Sequence, residues 1–159
     1  MQRLLFNTTM LLGAASAFEA SSLKFLGLEE GTTAKDHWAV VVAGSKDFWN
    51  YRHQADAAHA RQLLAKNGIP EDQIIYMAYD DVADSSMNPF KGQLFNKKDG
   101  ENVYDHDSID YTGADVTADN FYAVLKGDSE ATGGLPVLGS DSNSKVFVFF
   151  SDHGAPGIV

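Results

Sequence analysis

The chain has 159 residues, with 12 Lys plus Arg against 22 Asp plus Glu, and so carries a formal net charge of −10. Hydrophobic residues make up 44% and charged residues 21%, which is typical of a single globular domain and excludes a disordered chain. The negative charge repels phosphate backbones and anionic membranes, so we expect no nucleic-acid partner. The sequence contains no cysteine, which excludes disulfides and a cysteine nucleophile within these residues.

The N-terminus has the pattern of a secretory signal peptide. Arg3 is the only charged residue among the first 18, an apolar stretch runs from Leu4 to Ala17, and it ends in the small residues Ala15-Ser16-Ala17. We predict a signal peptide at 1–17 and a linker or propeptide at 18–36; the alternative is a disordered or helical arm. No other segment approaches the ~20 apolar residues of a membrane span, and we expect none.

The first ordered elements form a predicted β-α-β unit. Trp38–Ala43 is an apolar, β-branched run typical of a strand buried on both faces. Gln54–Lys66 predicts a helix that ends at Asn67-Gly68, and Ile74–Tyr79 predicts a second strand, parallel to the first. The predicted inward face of the helix consists of Ala57, Ala60, Leu63 and Leu64.

The second half begins with a polar segment, Asp80–Val116, which is long enough to carry function or a small hairpin. Thr117 then predicts the cap of a helix that Gly127 ends. The inward residues of this helix are predicted to be Phe121, Val124 and Leu125. Lys145–Phe150 predicts a third strand that is apolar on both faces.

This element order predicts an α/β fold with an open, mainly parallel sheet covered by helices. Ligands of such sheets bind beyond the carboxyl ends of the strands. The functionally important loops are therefore predicted at 44–53, 80–84 and 151–157.

His153 is the strongest candidate for chemistry, because it directly follows the third strand and imidazole is the usual general base near neutral pH. Gly154 beside it would let a substrate approach closely and offers an N–H to a developing oxyanion. The alternative is a turn histidine with a structural hydrogen bond.

A second candidate cluster follows the first strand. Asn50 could orient an imidazole, and Arg52 could bind a carboxylate or carbonyl group. The alternative is a helix entry, with Asn50 as its cap and Arg52 as a solvated charge. Asp80, Asp81 and Asp84 lack the ordered spacing of a calcium loop, so we interpret them as solvated charges.

Several ordered motifs of the chain resemble those of the legumain (asparaginyl endopeptidase) family. The resemblance covers roughly His37 to Val159. It is carried by the segments His37–Ser45, Trp49–Asp56, Asn67–Pro70, Tyr79–Asp81, Asn88-Pro89, Asp110–Gly113, Val116-Thr117, Asn120-Phe121, Val124–Asp128 and Phe150–Gly154.

The resemblance implies a caspase-like three-layer sandwich and a cysteine-type endopeptidase that cleaves after Asn, or after Asp at acid pH. In this numbering it implies His153, Gly154 and Asn50 as catalytic residues. The residues that would bind the substrate side chain are Arg52, His53 and Asp152. It implies no cofactor and no metal, protein or peptide substrates, and a location in the secretory pathway, either in the lysosome or vacuole or outside the cell.

The chain departs from the family pattern because the nucleophilic cysteine, which follows the next strand in the family, is missing here. We therefore interpret residues 37–159 as the N-terminal portion of a peptidase domain, truncated after its third strand and inactive alone. We expect an exposed sheet edge and, as a further partner, a C-terminal prodomain outside this sequence.

Two other functions compete with this interpretation. The catalytic subunit of the GPI-anchor transamidase shares the Asn-Tyr-Arg-His loop, although Asp110–Gly113 and Asp152 favour a legumain. A non-catalytic, truncated binding protein would keep the fold without the thiol.

Overall fold

The structure is a computed structural model that describes residues 37–155. The predicted signal peptide and the 18–36 linker lie outside the described residues, as does the end of the 151–157 loop.

Three parallel strands form one sheet in the order β2-β1-β3. They span His37–Ala43 (β1), Ile74–Met77 (β2) and Lys145–Ser151 (β3). All three predicted strands are confirmed, although β2 ends two residues earlier than expected. The parallel α/β class is confirmed as well.

Two helices accompany the sheet, α1 at Tyr51–Lys66 and α2 at Ala118–Lys126. The first begins three residues before its predicted start and ends as predicted. The second has the predicted cap: the Thr117 side chain accepts a hydrogen bond from the Asn120 N–H at 3.1 Å. It ends at Gly127, whose φ of 69° is left-handed, as predicted. Short 3₁₀ helices occupy Phe48–Asn50, Glu71–Gln73, His106–Ser108 and Gly113–Asp115.

The first strand, β1, is buried on both of its faces, and its side chains alternate between them. Val40 and Val42 join a core cluster that includes Val124 of α2. Ala39 and Val41 point to the opposite face, and α1 packs against the strands. The other members of the cluster are Ile75, Met77, Tyr111 and Leu138.

The predicted inward faces of the helices are partly wrong. Leu63 of α1 is 45% exposed and Leu125 of α2 is 38% exposed. The first turns of α1 instead bury His53 and Gln54, whose polar atoms have protein partners, while the alanines of α1 supply much of its apolar contact.

The long segment after β2 packs back onto the sheet. Tyr111 is fully buried and forms a parallel bridge with Met77, and its carbonyl accepts from the Ala78 N–H at 3.0 Å. The predicted small hairpin is reduced to one antiparallel bridge between Phe95 and Asn102.

The outer edge of β3 is exposed, as expected for a truncated sheet. Val146, Phe147, Val148 and Phe150 are each between 42% and 44% exposed. A hollow of about 600 Å³ lies on the α2 side and is lined by Val42, Gly44, Met77, Val116–Ala118, Phe121, Tyr122 and Phe150. Within residues 37–155, neither helix has the length and apolar character needed to cross a membrane.

Replacing Thr117 by Ala should lower the free energy of unfolding by about 1 kcal/mol, because the Asn120 N–H loses its acceptor. Urea denaturation followed by circular dichroism measures the change. Thr117→Ser keeps the hydroxyl and serves as the control. Equal midpoints for Thr117→Ala and the wild type would contradict the capping role.

Candidate active site

The loops after β1 and β3 meet because these strands are neighbours and run in the same direction. The Gly44 N–H donates to the Ser151 carbonyl at 3.0 Å, which continues the pairing one step beyond the strands. The Asn50 region and the residues after Ser151 therefore share one edge of the sheet, as the sequence predicted.

The imidazole of His153 is held from both sides. Its Nε2 lies 2.7 Å from the Asn50 Oδ1, and its Nδ1 lies 3.2 Å from the Arg52 Nη2. An amide oxygen can only accept and a guanidinium can only donate. The contacts therefore fit the neutral tautomer with the proton on Nε2 and the lone pair on Nδ1.

Asn50 occupies the N-cap position of α1, but its side chain makes no capping hydrogen bond. Its Nδ2 donates to the Lys46 carbonyl at 2.8 Å, which directs Oδ1 toward His153. The helix-cap alternative for this side chain is therefore wrong. Arg52 is exposed, yet it contacts His153 and is not only a solvated charge.

His53 is 3% exposed and lies beneath His153 with the two rings edge to face, their centroids 4.8 Å apart. Its Nδ1 is 2.6 Å from the Ser45 Oγ and 3.7 Å from the Asp152 Oδ1. Burial lowers the pKa of His53, and the neighbouring Arg52 and His153 lower it further, against the opposing effect of Asp152. The site therefore favours the uncharged form of His53 more than water does.

Asp152 turns back toward its own loop, where its Oδ1 accepts from the His153 N–H at 2.7 Å. It also approaches Gly44 so closely that a Cβ there would lie 2.5 Å from the Asp152 Oδ2. Gly44 belongs to the predicted 44–53 loop, but no sequence pattern pointed to this close approach. Gly154 follows and is exposed.

Ser45 is a second residue that sequence reasoning missed. Ser45, His53 and Asp152 resemble a Ser-His-Asp triad in composition, but Ser45 and Asp152 both face the same ring nitrogen, Nδ1. A triad uses opposite nitrogens for its serine and its carboxylate. The geometry therefore supports a structural role for Ser45 and excludes a triad at these three residues.

Among the described residues, one group of imidazole and carboxylate ligands could hold a metal: His53, Asp152 and His153, with ligand atoms within 4.8 Å of one another. Both ring nitrogens of His153 already have protein partners, the Arg52 guanidinium at Nδ1 and the Asn50 Oδ1 at Nε2.

The sequence did not anticipate the contacts of the aspartates after β2. Asp80 accepts from the Tyr104 hydroxyl at 2.9 Å and lies 2.8 Å from the His106 Nδ1. Asp81 accepts from the Asp47 N–H and from the Gln54 Nε2, both at 2.7 Å. Their interpretation as solvated charges is wrong for Asp80 and Asp81.

Replacing Gly44 by Ala should move the Asp152–His153 loop, because the new Cβ overlaps the Asp152 carboxylate. We expect a loss of stability of about 1–3 kcal/mol and a shifted His153 amide signal in ¹H–¹⁵N spectra. Gly68→Ala is the control: its φ of 96° makes the substitution strained, but it has open space around it and should leave His153 unmoved. An unshifted His153 signal in Gly44→Ala would contradict the steric argument.

The lowered pKa of His53 predicts a loss of stability in acid. Its folded pKa lies below the ordinary value of 6.5, so its stabilising contribution is complete above that pH and is lost as the pH falls through the folded pKa. His53→Asn keeps an acceptor for Ser45 but cannot titrate. The free energy of unfolding, measured by urea denaturation from about pH 7.5 to 5, should fall less steeply in this variant, with a slope smaller by up to about 1.4 kcal/mol per pH unit. Parallel curves would contradict the prediction.

Known proteins share sequence with this chain. Residues 37–159 match the sequence model of the Peptidase C13 family. The chain is 50% identical over 137 residues to legumain of Mus musculus, covering 84% of this chain and 32% of that protein. It is 52% identical over 126 residues to legumain of Homo sapiens, covering 77% and 29%. It is 50% identical over 132 residues to the vacuolar-processing enzyme of Vicia sativa, covering 82% and 26%.

The chain thus spans about a third or less of these relatives. The resemblance to legumains is confirmed, and the parallel α/β sheet with its exposed third strand agrees with a truncated caspase-like fold. The chain belongs to the peptidase C13 family.

Proposed function

We propose that this chain is the N-terminal part of a cysteine-type endopeptidase that cleaves proteins after Asn, and after Asp in acid. The observation that carries the proposal is the position of His153 at the carboxyl edge of the sheet, with its Nε2 anchored on Asn50 and its Nδ1 against the Arg52 guanidinium. Family membership supports the peptidase class. The names of the relatives favour it over the transamidase alternative.

The chemistry assigned to His153 is general base and acid catalysis. Its Nδ1 would take the proton of a thiol once the Arg52 guanidinium has turned from Nδ1 to the substrate, and would later give a proton to the departing amine. The Asn50 Oδ1 accepts from Nε2–H whether the ring is neutral or charged, and so stabilises the imidazolium. Gly154 would supply an N–H to the oxyanion.

The nucleophile has to come from polypeptide outside this sequence, because these 159 residues contain no cysteine. The partial coverage of the relatives is in keeping with this. A parallel strand added beside β3 would end at the same edge as His153. We propose that the chain alone is inactive.

Selection of Asn is assigned to Arg52, His53 and Asp152. A substrate amide offers both an acceptor and donors: the Arg52 guanidinium can donate to its oxygen, and the Asp152 carboxylate can accept from its nitrogen. A charged substrate Asp would be repelled by the Asp152 carboxylate, and protonation of the substrate carboxyl in acid would remove that repulsion.

The proposed setting is the secretory pathway, in a lysosome or vacuole or outside the cell. The N-terminal sequence pattern supports entry into that pathway. The vacuolar names of several relatives favour the acidic compartment. The proposed partners are protein substrates and a C-terminal prodomain.

The test uses the product of the complete transcript, assayed at mildly acidic pH on matched peptides that differ only in Asn, Asp or Gln before the cleaved bond. We expect cleavage after Asn, a loss of at least about 100-fold in kcat for His153→Ala, and a raised KM for Arg52→Lys. His59→Ala, on α1 and bonded to Asn96, is the control and should retain activity.

Activity that survives in His153→Ala, or cleavage without a preference for Asn, would contradict the proposal. A transcript that stops after Val159, together with an inactive product, would favour the non-catalytic binding protein.

A further inference from the structure

The loop between β1 and α1, residues 44–50, carries Asn50 but buries none of its side chains. Trp49 is 82% exposed, and Phe48 is only partly covered. Asp47 has φ 74° and ψ 148°, a conformation that non-glycine residues rarely adopt. Because apolar burial does not hold this loop and one residue in it is strained, polar contacts must fix its shape.

Asp81, in the loop after β2, supplies those contacts from across the sheet edge. Its Oδ2 accepts from the Asp47 N–H and its Oδ1 from the Gln54 Nε2, both at 2.7 Å. Asp47 lies before Asn50 in the chain and Gln54 lies after it. One carboxylate therefore binds the chain on both sides of Asn50. Hydrogen bonds to a charged acceptor are stronger than those between neutral groups.

Asp47 is in turn hydrogen-bonded to Asn50. The Asn50 N–H donates to the Asp47 carbonyl at 2.9 Å, and its Nδ2 donates to the adjacent Lys46 carbonyl at 2.8 Å. With both donors engaged, Oδ1 is left to accept from the His153 Nε2 at 2.7 Å.

We propose that Asp81 is a positioning residue of the site, which holds the 44–50 loop so that Asn50 keeps the His153 imidazole in place. This inference rests on the proposed function for its catalytic consequence. The hydrogen bonds of Asp81 go to Asp47 and Gln54, and not to His153 or the residues assigned to substrate binding.

The experiment measures the solvent exchange of the His153 Nε2–H by ¹H–¹⁵N NMR on this 159-residue chain. Asp81→Ala should speed the exchange about 10-fold, because Asn50 loses its fixed orientation. Asp81→Asn should stay close to the wild type, since Asn can accept from the Asp47 N–H and donate to a rotated Gln54 amide.

Asp110→Ala is the matched control. Asp110 also accepts a backbone N–H, that of Tyr76 at 2.8 Å, but lies on the far side of β2 from Asn50. The Asp110→Ala variant should have a lower melting temperature and an unchanged exchange rate of the His153 Nε2–H. If Asp81→Ala does not fold, the double variant Asp47→Gly/Asp81→Ala is measured instead, because glycine adopts the positive φ of residue 47 without strain.

In the product of the complete transcript, Asp81→Ala should lower kcat about 10- to 100-fold with little change in KM. Unchanged exchange in Asp81→Ala, or an equal effect of Asp110→Ala, would overturn the inference. An Asp81-dependent exchange in this chain, together with no peptidase activity in the product of the complete transcript, would leave the positioning intact and overturn the proposed function.

Discussion

The parallel pairing of β1 with β3 is the constraint on which the site depends. Seven residue pairs fix the register from His37 opposite Lys145 to Ala43 opposite Ser151. Parallel strands end at the same edge, so the first residues beyond each strand must meet. A shift of β3 by one residue would exchange its two faces and carry His153 away from the Asn50 amide.

Beside this pairing, the buried polar side chains of His53 and Gln54 each have a hydrogen-bond partner in the protein. His53 is almost inaccessible, but the Ser45 hydroxyl bonds to it and burial lowers its pKa, which favours the uncharged ring. Gln54 is 2% exposed and bonds to Asp81. A buried group left without a partner would destabilise the domain, so these contacts hold the helix entry against the sheet edge.

Much of this arrangement could be predicted from the sequence because its signals are local. The apolar run of β1, the cap at Thr117 and the stop at Gly127 each depend on neighbouring residues, and the structure contains all three. The side chains at the strand ends, Asn50 and His153, followed from the rule that parallel strands share an edge.

The remainder depends on contacts between distant segments, which no local pattern encodes. Leu63 follows the apolar spacing of α1 and is nevertheless exposed, because the buried part of that helix is set by where it meets the sheet. Asp81 lies in a run of acidic residues that suggests a solvated surface. Its bonds reach Asp47, 34 residues earlier, and Gln54, 27 residues earlier. Gly44 is required only because Asp152 comes close to it.

The third strand, β3, leaves large apolar side chains exposed. Four large apolar residues of β3 are each more than 40% exposed, and they lie on both faces of the strand because its side chains alternate. A covering strand parallel to β3 would satisfy its free backbone groups and bury these side chains. Its carboxyl end would then lie beside the ring of His153, on the far side from Asn50, which bonds from the β1 side. The exposed edge of β3 and the proposed catalytic chemistry are therefore compatible with a single segment that would pair with β3 and carry the nucleophile.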